Sequence, residues 1–454
     1  MARIRKPKNM NALTEALGTE FLTKLPKLMV DYRATNSDGA YLHWDQFIWR
    51  IPKGANAEEA WLATKYSRMA TRKNLVELKA KDDASFFSYC IPDSLLAKLH
   101  YIDKKTGGGH SLSESSFMSS GEKGRYLVKS LMMEEAITSS QLEGASTTRK
   151  VAKEMLVTQR QPSDKSEQMI FNNYLLMKKA VERKDEPLSI ELILELHEVA
   201  TYKAIDNDAV SGELRQDNNI TVTDLYNEVA HAPPCHTSIQ ERLTASCAFA
   251  NEESDGLRDN QFIHPLVKAI ILHFMIGYIH PFGDGNGRTA RALFYWFMLR
   301  SGYWLFEYVS ISKLIQEKRS DYDKAYVYTE TDDFDLTYFL YNQVDVVIKA
   351  VDSLHDHIES KKRDYYEFME WIESSPVSKI LKPRQLEILK DAVKHPGKIF
   401  TAKQVSLDFD INGNTARSHL NKLVDEDLLI ATKSKKGKGV LYLAPADLRE
   451  RLKL

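Results

Sequence analysis

HPFGDGNGRTAR, from His280 to Arg291, sets a basic ring, a carboxylate, three glycines and two arginines within one short stretch. Pro281 disfavours α geometry at His280, so the apolar run IILHFMIGYI from Ile270 to Ile279 should end there as a buried helix, leaving the imidazole at the mouth of a loop. Gly283, Gly285 and Gly287 let the backbone turn tightly and offer its N–H groups to an anion without Cβ obstruction. The helix that follows carries Ala290, Leu293, Phe294 and Phe297 on one face, so the positive end of its dipole points back at the loop. Arg288 and Arg291 share a face in its first turn. Cations oppose the dipole there, at about 0.3–1 kcal/mol each when exposed, and a bound polyphosphate reverses that sign. Asp284 offers a hard oxygen ligand to Mg2+, which takes one or two carboxylates and completes its shell with water and phosphate oxygens. His280 is the one side chain of the loop that ordinarily titrates near neutrality, which makes it the natural general base. The plain alternative, a glycine loop joining two core helices beneath solvated arginines, explains none of this combination.

Outward from this stretch, helical periodicity dominates. It predicts helices over 125–143, 165–184, 189–202, 238–252, 264–280, 287–301, 309–328 and 335–362, hence a mainly α domain over about 120–365. Between the third and fourth of these, SGELRQDNNITVTDLYNEVAHAPPCHTSIQ has the Asn, Gly and Pro content of a hairpin and loop. The glycine-rich KKTGGGHSLSESS from Lys104 reads as a linker, and it leaves residues 1–110 as a region of uncertain fold.

The sixty-two Lys and Arg nearly balance sixty-three Asp and Glu, which excludes binding of polyanions through bulk charge alone. From Lys382 to Leu454, however, fifteen basic residues face nine acidic ones, a local +6 against about −7 for the remainder. Three predicted helices (383–393, 402–407 and 414–424) and two short strands around the basic turn KSKKGKG follow the order of a winged helix-turn-helix over 380–446. Ala416, Leu420, Leu423 and Val424 form its core stripe, while Arg417, Ser418, Asn421 and Lys422, with Lys433, Lys435, Lys436 and Lys438 in the turn, are candidate DNA contacts. Such modules also bind proteins or dimerise. Cys90, Cys235 and Cys247 are odd in number and far apart, so a reducing, cytoplasmic setting is expected without a disulfide framework or paired metal site. No apolar run approaches the ~20 residues of a bilayer span, and no secretory signal is expected at the N-terminus.

HPFGDGNGRTAR resembles, position by position, the signature HPFx[DE]GNGRxxR of Fic domains, and the resemblance extends over roughly 120–350. It implies a Fic-type helical core with a β-hairpin flap, and a nucleotidyltransferase that attaches AMP from Mg-ATP to a Ser, Thr or Tyr hydroxyl of a target protein or of itself. By that resemblance His280 is the base and Asp284 holds Mg2+. Asn286 and the Gly283, Gly285 and Gly287 backbone cradle the phosphates, Arg288 meets the β/γ portion, Arg291 meets the γ-phosphate, and Phe282 anchors the loop in the core. The 218–229 hairpin resembles the family's flap, with Asn219, Ile220 and Thr221 pairing an extended target segment. Upstream, EEAITSSQLEG resembles the inhibitory motif [ST]xxxE[GN], here Ser139, Glu143 and Gly144 on a helix of about 125–144. There Glu143 would capture Arg291, or orient a water for removal of AMP. A DNA-binding regulator with a nucleotide-sensing Fic fold is the competing reading, and a second copy of the chain is a candidate partner.

Overall fold

The computed structural model describes residues 4–81, 85–106, 122–205, 209–223, 229–253, 256, 262–374, 380–394, 397–409, 411–433, 440–445 and 447–452. The expected linker from 107 onward and the centre of the KSKKGKG turn lie outside them. The chain forms two compact units, Met1–Leu354 and His355–Leu454. The molecule is mainly helical, as the sequence pattern predicts.

The first unit opens with α1 (Met10–Asp31), α2 (Trp44–Phe47) and α3 (Ala57–Met69), then the hairpin β1 (Lys73–Lys79) and β2 (Phe86–Tyr89), then α4 (Asp93–Thr106). Asn9 and Asn56 cap α1 and α3 by accepting their first free N–H groups. This region is joined to the later helices by buried contacts. Phe87 packs edge-on against Phe274 and Tyr278, with centroids 5.5 and 4.9 Å apart. Lys65 Nζ reaches Asp332 Oδ1 at 2.8 Å with both side chains buried, and the Arg68 guanidinium donates to the Tyr338 hydroxyl at 2.8 Å. A buried pair of this kind tolerates loss of neither partner.

The remaining helices are α5 (Glu122–Leu142), α6 (Arg149–Thr158), α7 (Lys165–Glu182), α8 (Ile190–Thr201), α9 (Ile239–Asn251), α10 (Pro265–Ile279), α11 (Asn286–Arg300), α12 (Ser312–Glu317), α13 (Arg319–Thr331) and α14 (Thr337–Ser374). Between α8 and α9 the short strands β3 (Val222–Thr223) and β4 (Val229–His231) pair antiparallel. α10 starts with Pro265 in its first turn and is buried on nearly every face, the environment its largely apolar sequence requires. The structure corrects the predicted boundaries in three places. α6 lies where no helix was expected. The single helix expected over 309–328 breaks at Lys318, whose φ of −130° is non-helical, into α12 and α13. α14 runs past 362 to Ser374.

In the second unit, α15 (Pro383–Lys394), β5 (Ile399–Phe400), α16 (Ala402–Asp408), α17 (Gly413–Asp425), β6 (Ile430–Lys433), β7 (Val440–Leu443) and α18 (Leu448–Arg451) succeed one another. The sheet order is β5-β7-β6, all antiparallel. Ile388, Leu389, Phe400, Val405, Ala416, Leu420, Leu423 and Tyr442 fill the core between helices and sheet.

Candidate active site

α10 ends at His280, whose φ of 49° is left-handed, and α11 starts after Gly285, whose φ is 80°. Pro281 thus stops the helix as expected, and of the three motif glycines only Gly285 has a positive φ. The other two are needed for close approach rather than for turning. A Cβ on Gly283 would stand 2.6 Å from the Ala209 methyl, and one on Gly287 would collide with the Glu143 carboxylate. The loop's shape is fixed by Asn286, which accepts the Phe282 N–H at 3.0 Å and donates to the Phe282 carbonyl at 2.8 Å. Both polar ends of the Asn286 amide thus brace the loop.

His280 is half-buried, with Nδ1 3.3 Å from the Gly277 carbonyl. Burial, helped by the His231 and Arg215 charges and opposed by that carbonyl, lowers its pKa to about 4. The ring is therefore neutral at ordinary pH, and with Nδ1–H directed at Gly277, Nε2 keeps its lone pair. Arg215 braces the residue from outside. Its Nε donates to the His280 carbonyl at 2.8 Å, its N–H to the Pro281 carbonyl at 2.9 Å and its Nη2 to the Pro234 carbonyl at 2.5 Å, tying the loop to the segment after β4.

Below the loop, His197 stacks on Phe282, with centroids 3.7 Å apart and planes 2° from parallel. Its Nδ1 accepts the Gly212 N–H at 3.1 Å, so its Nε2–H donates to the Asp284 carbonyl at 2.8 Å. Burial lowers this ring too, to about 4. Phe282 is fully buried, the core anchor the sequence suggested.

Arg288 and Arg291 are both buried rather than solvated. Arg288 donates from Nη1 to the Ala200 carbonyl at 2.7 Å and from Nη2 to Asp284 Oδ2 at 3.3 Å, while its Nε has no hydrogen-bond partner among the described residues. A buried, unsatisfied donor of a cation costs about 1–3 kcal/mol or more, which an anion at this helix end would recover. Asp284, partly exposed beside it, also accepts the Gly285 N–H at 2.5 Å. Among the described residues no group of three His, Cys, Asp or Glu could hold a metal, and Asp284 is the carboxylate within the loop that could offer an oxygen to one.

The second arginine is held by α5. Arg291 Nε donates to Ser139 Oγ at 2.9 Å, and Nη2 donates to the Ser139 carbonyl at 3.1 Å and to Glu143 Oε1 at 2.9 Å. Glu143 occupies this position because α5 stops there. The Gly144 N–H returns to the Gln141 carbonyl, and the Ala145 N–H to that of Ser140, with Gly144 at φ 97°. Burial pushes the Glu143 carboxyl up, but Arg291, with Arg288 and Arg319 further off, outweighs it and holds the group below its ordinary value. Its carboxylate thus stands ionised over Gly287, at the start of α11.

Asn219, Ile220 and Thr221 precede β3 instead of forming it. The Asn219 N–H turns back to Asp217 Oδ1 at 2.9 Å, and Asn218 is tied to the His236 N–H at 2.8 Å, so pairing begins only at Val222. The hairpin tip, 224–228, lies outside the described residues. In α17, Arg417, Ser418 and Asn421 are exposed, but Asn421 accepts the Tyr442 hydroxyl at 2.7 Å and Lys422 pairs with Glu426 at 2.5 Å. Lys433 closes β6, and Lys435, Lys436 and Lys438 lie outside the described residues. His197 and Arg215 were not among the residues the sequence singled out. A lone histidine on the apolar face of α8 and an arginine in a polar loop carry no signal of their partners.

Residues 187–298 match the Fic/DOC family, so the chain carries a Fic domain. It is similar to the protein adenylyltransferase Fic of Nematostella vectensis, 32% identical over 123 residues, which is 27% of this chain and 25% of that protein. It is also similar to the protein adenylyltransferase fic-1 of Caenorhabditis elegans, 32% identical over 122 residues, 27% of this chain and 21% of that protein. The matched stretch spans a quarter or less of these relatives' length. A crystal structure of a Fic family protein from Desulfovibrio desulfuricans G20 is 18% identical with a TM-score of 0.49, covering 78% of this chain and 97% of that one.

Proposed function

We propose that the chain is an autoinhibited protein adenylyltransferase, which transfers AMP from ATP to a Ser, Thr or Tyr hydroxyl of a target protein or of itself. The reading is carried by the loop between α10 and α11, where a neutral His280 stands beside a helix N-terminus whose buried Arg288 Nε has no partner among the described residues. The catalogued adenylyltransferase activity of the similar proteins supports it.

In this reading the loop backbone from Gly283 to Gly287 binds the phosphates, Arg288 completes them, and Asp284 holds Mg2+, which would offset phosphate charge when bound. His280 Nε2 accepts the proton of the target hydroxyl as its oxygen bonds to the α-phosphorus. The bond from that phosphorus to the β-phosphate oxygen breaks, and pyrophosphate leaves. The rigid loop supplies position and electrostatic complementarity, which is most of what transfer at phosphorus requires. The β3–β4 hairpin would align an extended target segment through its backbone. Arg291 is the γ-phosphate contact, and Glu143 is the brake that withholds it. For the C-terminal unit we propose a winged-helix module that docks DNA or protein; a salt titration of duplex binding by the whole chain discriminates the two.

Incubating the chain, and separately its Glu143→Gly variant, with labelled ATP and a lysate, then locating the label by mass spectrometry, tests the activity. His280→Ala should cut transfer by about 10²–10⁴ while ATP binding persists, because the ring handles the proton and not the phosphates. Substantial transfer by His280→Ala would remove it as the base, and label on no protein from either unmutated His280 form would overturn the activity.

A further inference from the structure

Glu135 and Ser139 stand one helical turn apart on one face of α5, and Glu143 follows in the turn that ends it. The lower two grip Arg291 of α11. Glu135 does not reach that site, and its carboxylate is nonetheless only 2% exposed. It accepts the Ser310 hydroxyl at 2.7 Å, the Ser312 N–H at 3.2 Å and the Ser312 hydroxyl at 2.5 Å. These donors lie on the segment that leads into α12. The adjoining Ile311 N–H is itself fixed by the Tyr295 hydroxyl at 3.0 Å, and Thr138 approaches Ser310 at 3.5 Å.

A carboxylate at this depth is not explained by stability. Met133, Ile137 and Ala136 beside it are buried apolar residues, and an apolar side chain of similar volume would fill the position without the desolvation cost. Burial does push the Glu135 carboxyl up, against the pull of the serines and of Arg291. What the carboxylate supplies is a directional tie, to a different element from the one Glu143 holds. Helix α5 is therefore tied to the Ser310–Ser312 segment at Glu135 and to Arg291 at Ser139, besides the bonds of its Ala136 carbonyl to Asn173 and of its Ser140 hydroxyl to the Met169 carbonyl.

We propose that Glu135 is a positioning residue of the brake: its hydrogen bonds to Ser310 and Ser312 seat α5 so that Glu143 meets Arg291, and loosening them raises transfer. The inference rests on the reading of Glu143 as inhibitor. Glu135 touches no substrate; its charge also acts on Arg291, and Ser312→Ala, which keeps that charge, isolates the positioning role.

The experiment measures transfer to one target by the parent, Glu135→Gln, Ser312→Ala, Glu143→Gly and the double variant Glu135→Gln/Glu143→Gly, each checked for cooperative unfolding. Loss of one or two net hydrogen bonds predicts a roughly three- to tenfold faster transfer for Glu135→Gln and Ser312→Ala than for the parent. The double variant should be no faster than Glu143→Gly alone, and amide exchange over 135–143 should quicken in Glu135→Gln. Should Glu135→Gln destabilise the chain, Ser312→Ala, which keeps the carboxylate and the backbone donor, decides the question. Activation by Glu143→Gly with none by Glu135→Gln or Ser312→Ala overturns the inference and leaves the brake standing. No activation by Glu143→Gly removes the brake, and the inference with it. A Glu135→Gln change that slows transfer equally in both backgrounds marks ordinary structural support and also overturns the proposal.

Discussion

Replacing Glu143 by glycine removes one hydrogen-bonded ion pair to a buried arginine and clears the space above Gly287. A hydrogen bond to a charged group is worth about 1.5–3 kcal/mol net, and every ~1.4 kcal/mol is a factor of ten in population. If the parent reacts only when the carboxylate is away, transfer should rise roughly ten- to hundredfold. The lower half of that range is expected, because Ser139 still binds Arg291 through its hydroxyl and its carbonyl. The gain should lie in turnover more than in ATP affinity, since a misaligned nucleotide still engages the loop. Arg291→Ala provides the contrast: it removes the partner of the glutamate together with the γ-phosphate contact, so it should not activate. Initial rates of label incorporation at saturating ATP, with a competent target, measure both variants. Equal rates for the parent and Glu143→Gly would refute the reasoning, and activation by Arg291→Ala would refute the role of the arginine. Slower release of AMP from a pre-modified target in Glu143→Gly would identify the glutamate instead as a hydrolytic group.

Two further outcomes follow from the loop. The folded pKa of His280, lowered to about 4, leaves the base deprotonated in the free enzyme at every pH above that value. The acid limb of kcat/KM for Glu143→Gly should therefore fall near 4, and a limb centred at the ordinary 6.5 that vanishes only with His280 would refute the burial argument. Gly287→Ala places a methyl in the anion cradle, so in the Glu143→Gly background it should weaken ATP binding at least about tenfold, the effect of a lost phosphate contact to backbone N–H; calorimetry showing unchanged affinity would put the phosphates elsewhere.

The central helices were legible because their sequence pattern and their burial coincide. α10 is apolar but for Lys268 and His273 and is buried on nearly every face, and Pro281 marks its end. The first hundred residues resisted reading for identifiable reasons. Within α1, Gly18 is non-helical at φ 63° and Pro26 lies inside, so the periodicity is broken where the helix continues. In β1 the buried residues are Leu75 and Leu78, three apart instead of two, and the register shifts between Leu75 and Lys79, which hides a strand from a search for period two. α6 lacks a side-chain cap and ends on Gln159 at φ 56° where glycine would have signalled the stop. The break between α12 and α13 falls at a lysine, a residue that announces no turn.

The site divides along the same line. Residues that act from within one loop are readable, because spacing along the chain is then spacing in the molecule; His280, Asp284, Arg288 and the glycines are of this kind. For Asn286 an amide suits a phosphate and a backbone pair equally well, and only the geometry shows both its ends engaged with Phe282. Ser139 and Glu143 could be found because they fall four residues apart in a stretch that resembles a known motif. His197, Arg215 and Glu135 could not, although each is buried and fully engaged. Their partners are the Asp284 and His280 carbonyls and the Ser310–Ser312 segment, 87, 65 and 175 or more residues away. A backbone carbonyl has no side-chain identity, so nothing in the sequence at position 280 or 284 records that an arginine or a histidine holds it. The motif of the loop is local, but its rigidity is not, and it is the rigidity that holds the His280 ring, the Arg288 guanidinium and the Glu143 carboxylate in place.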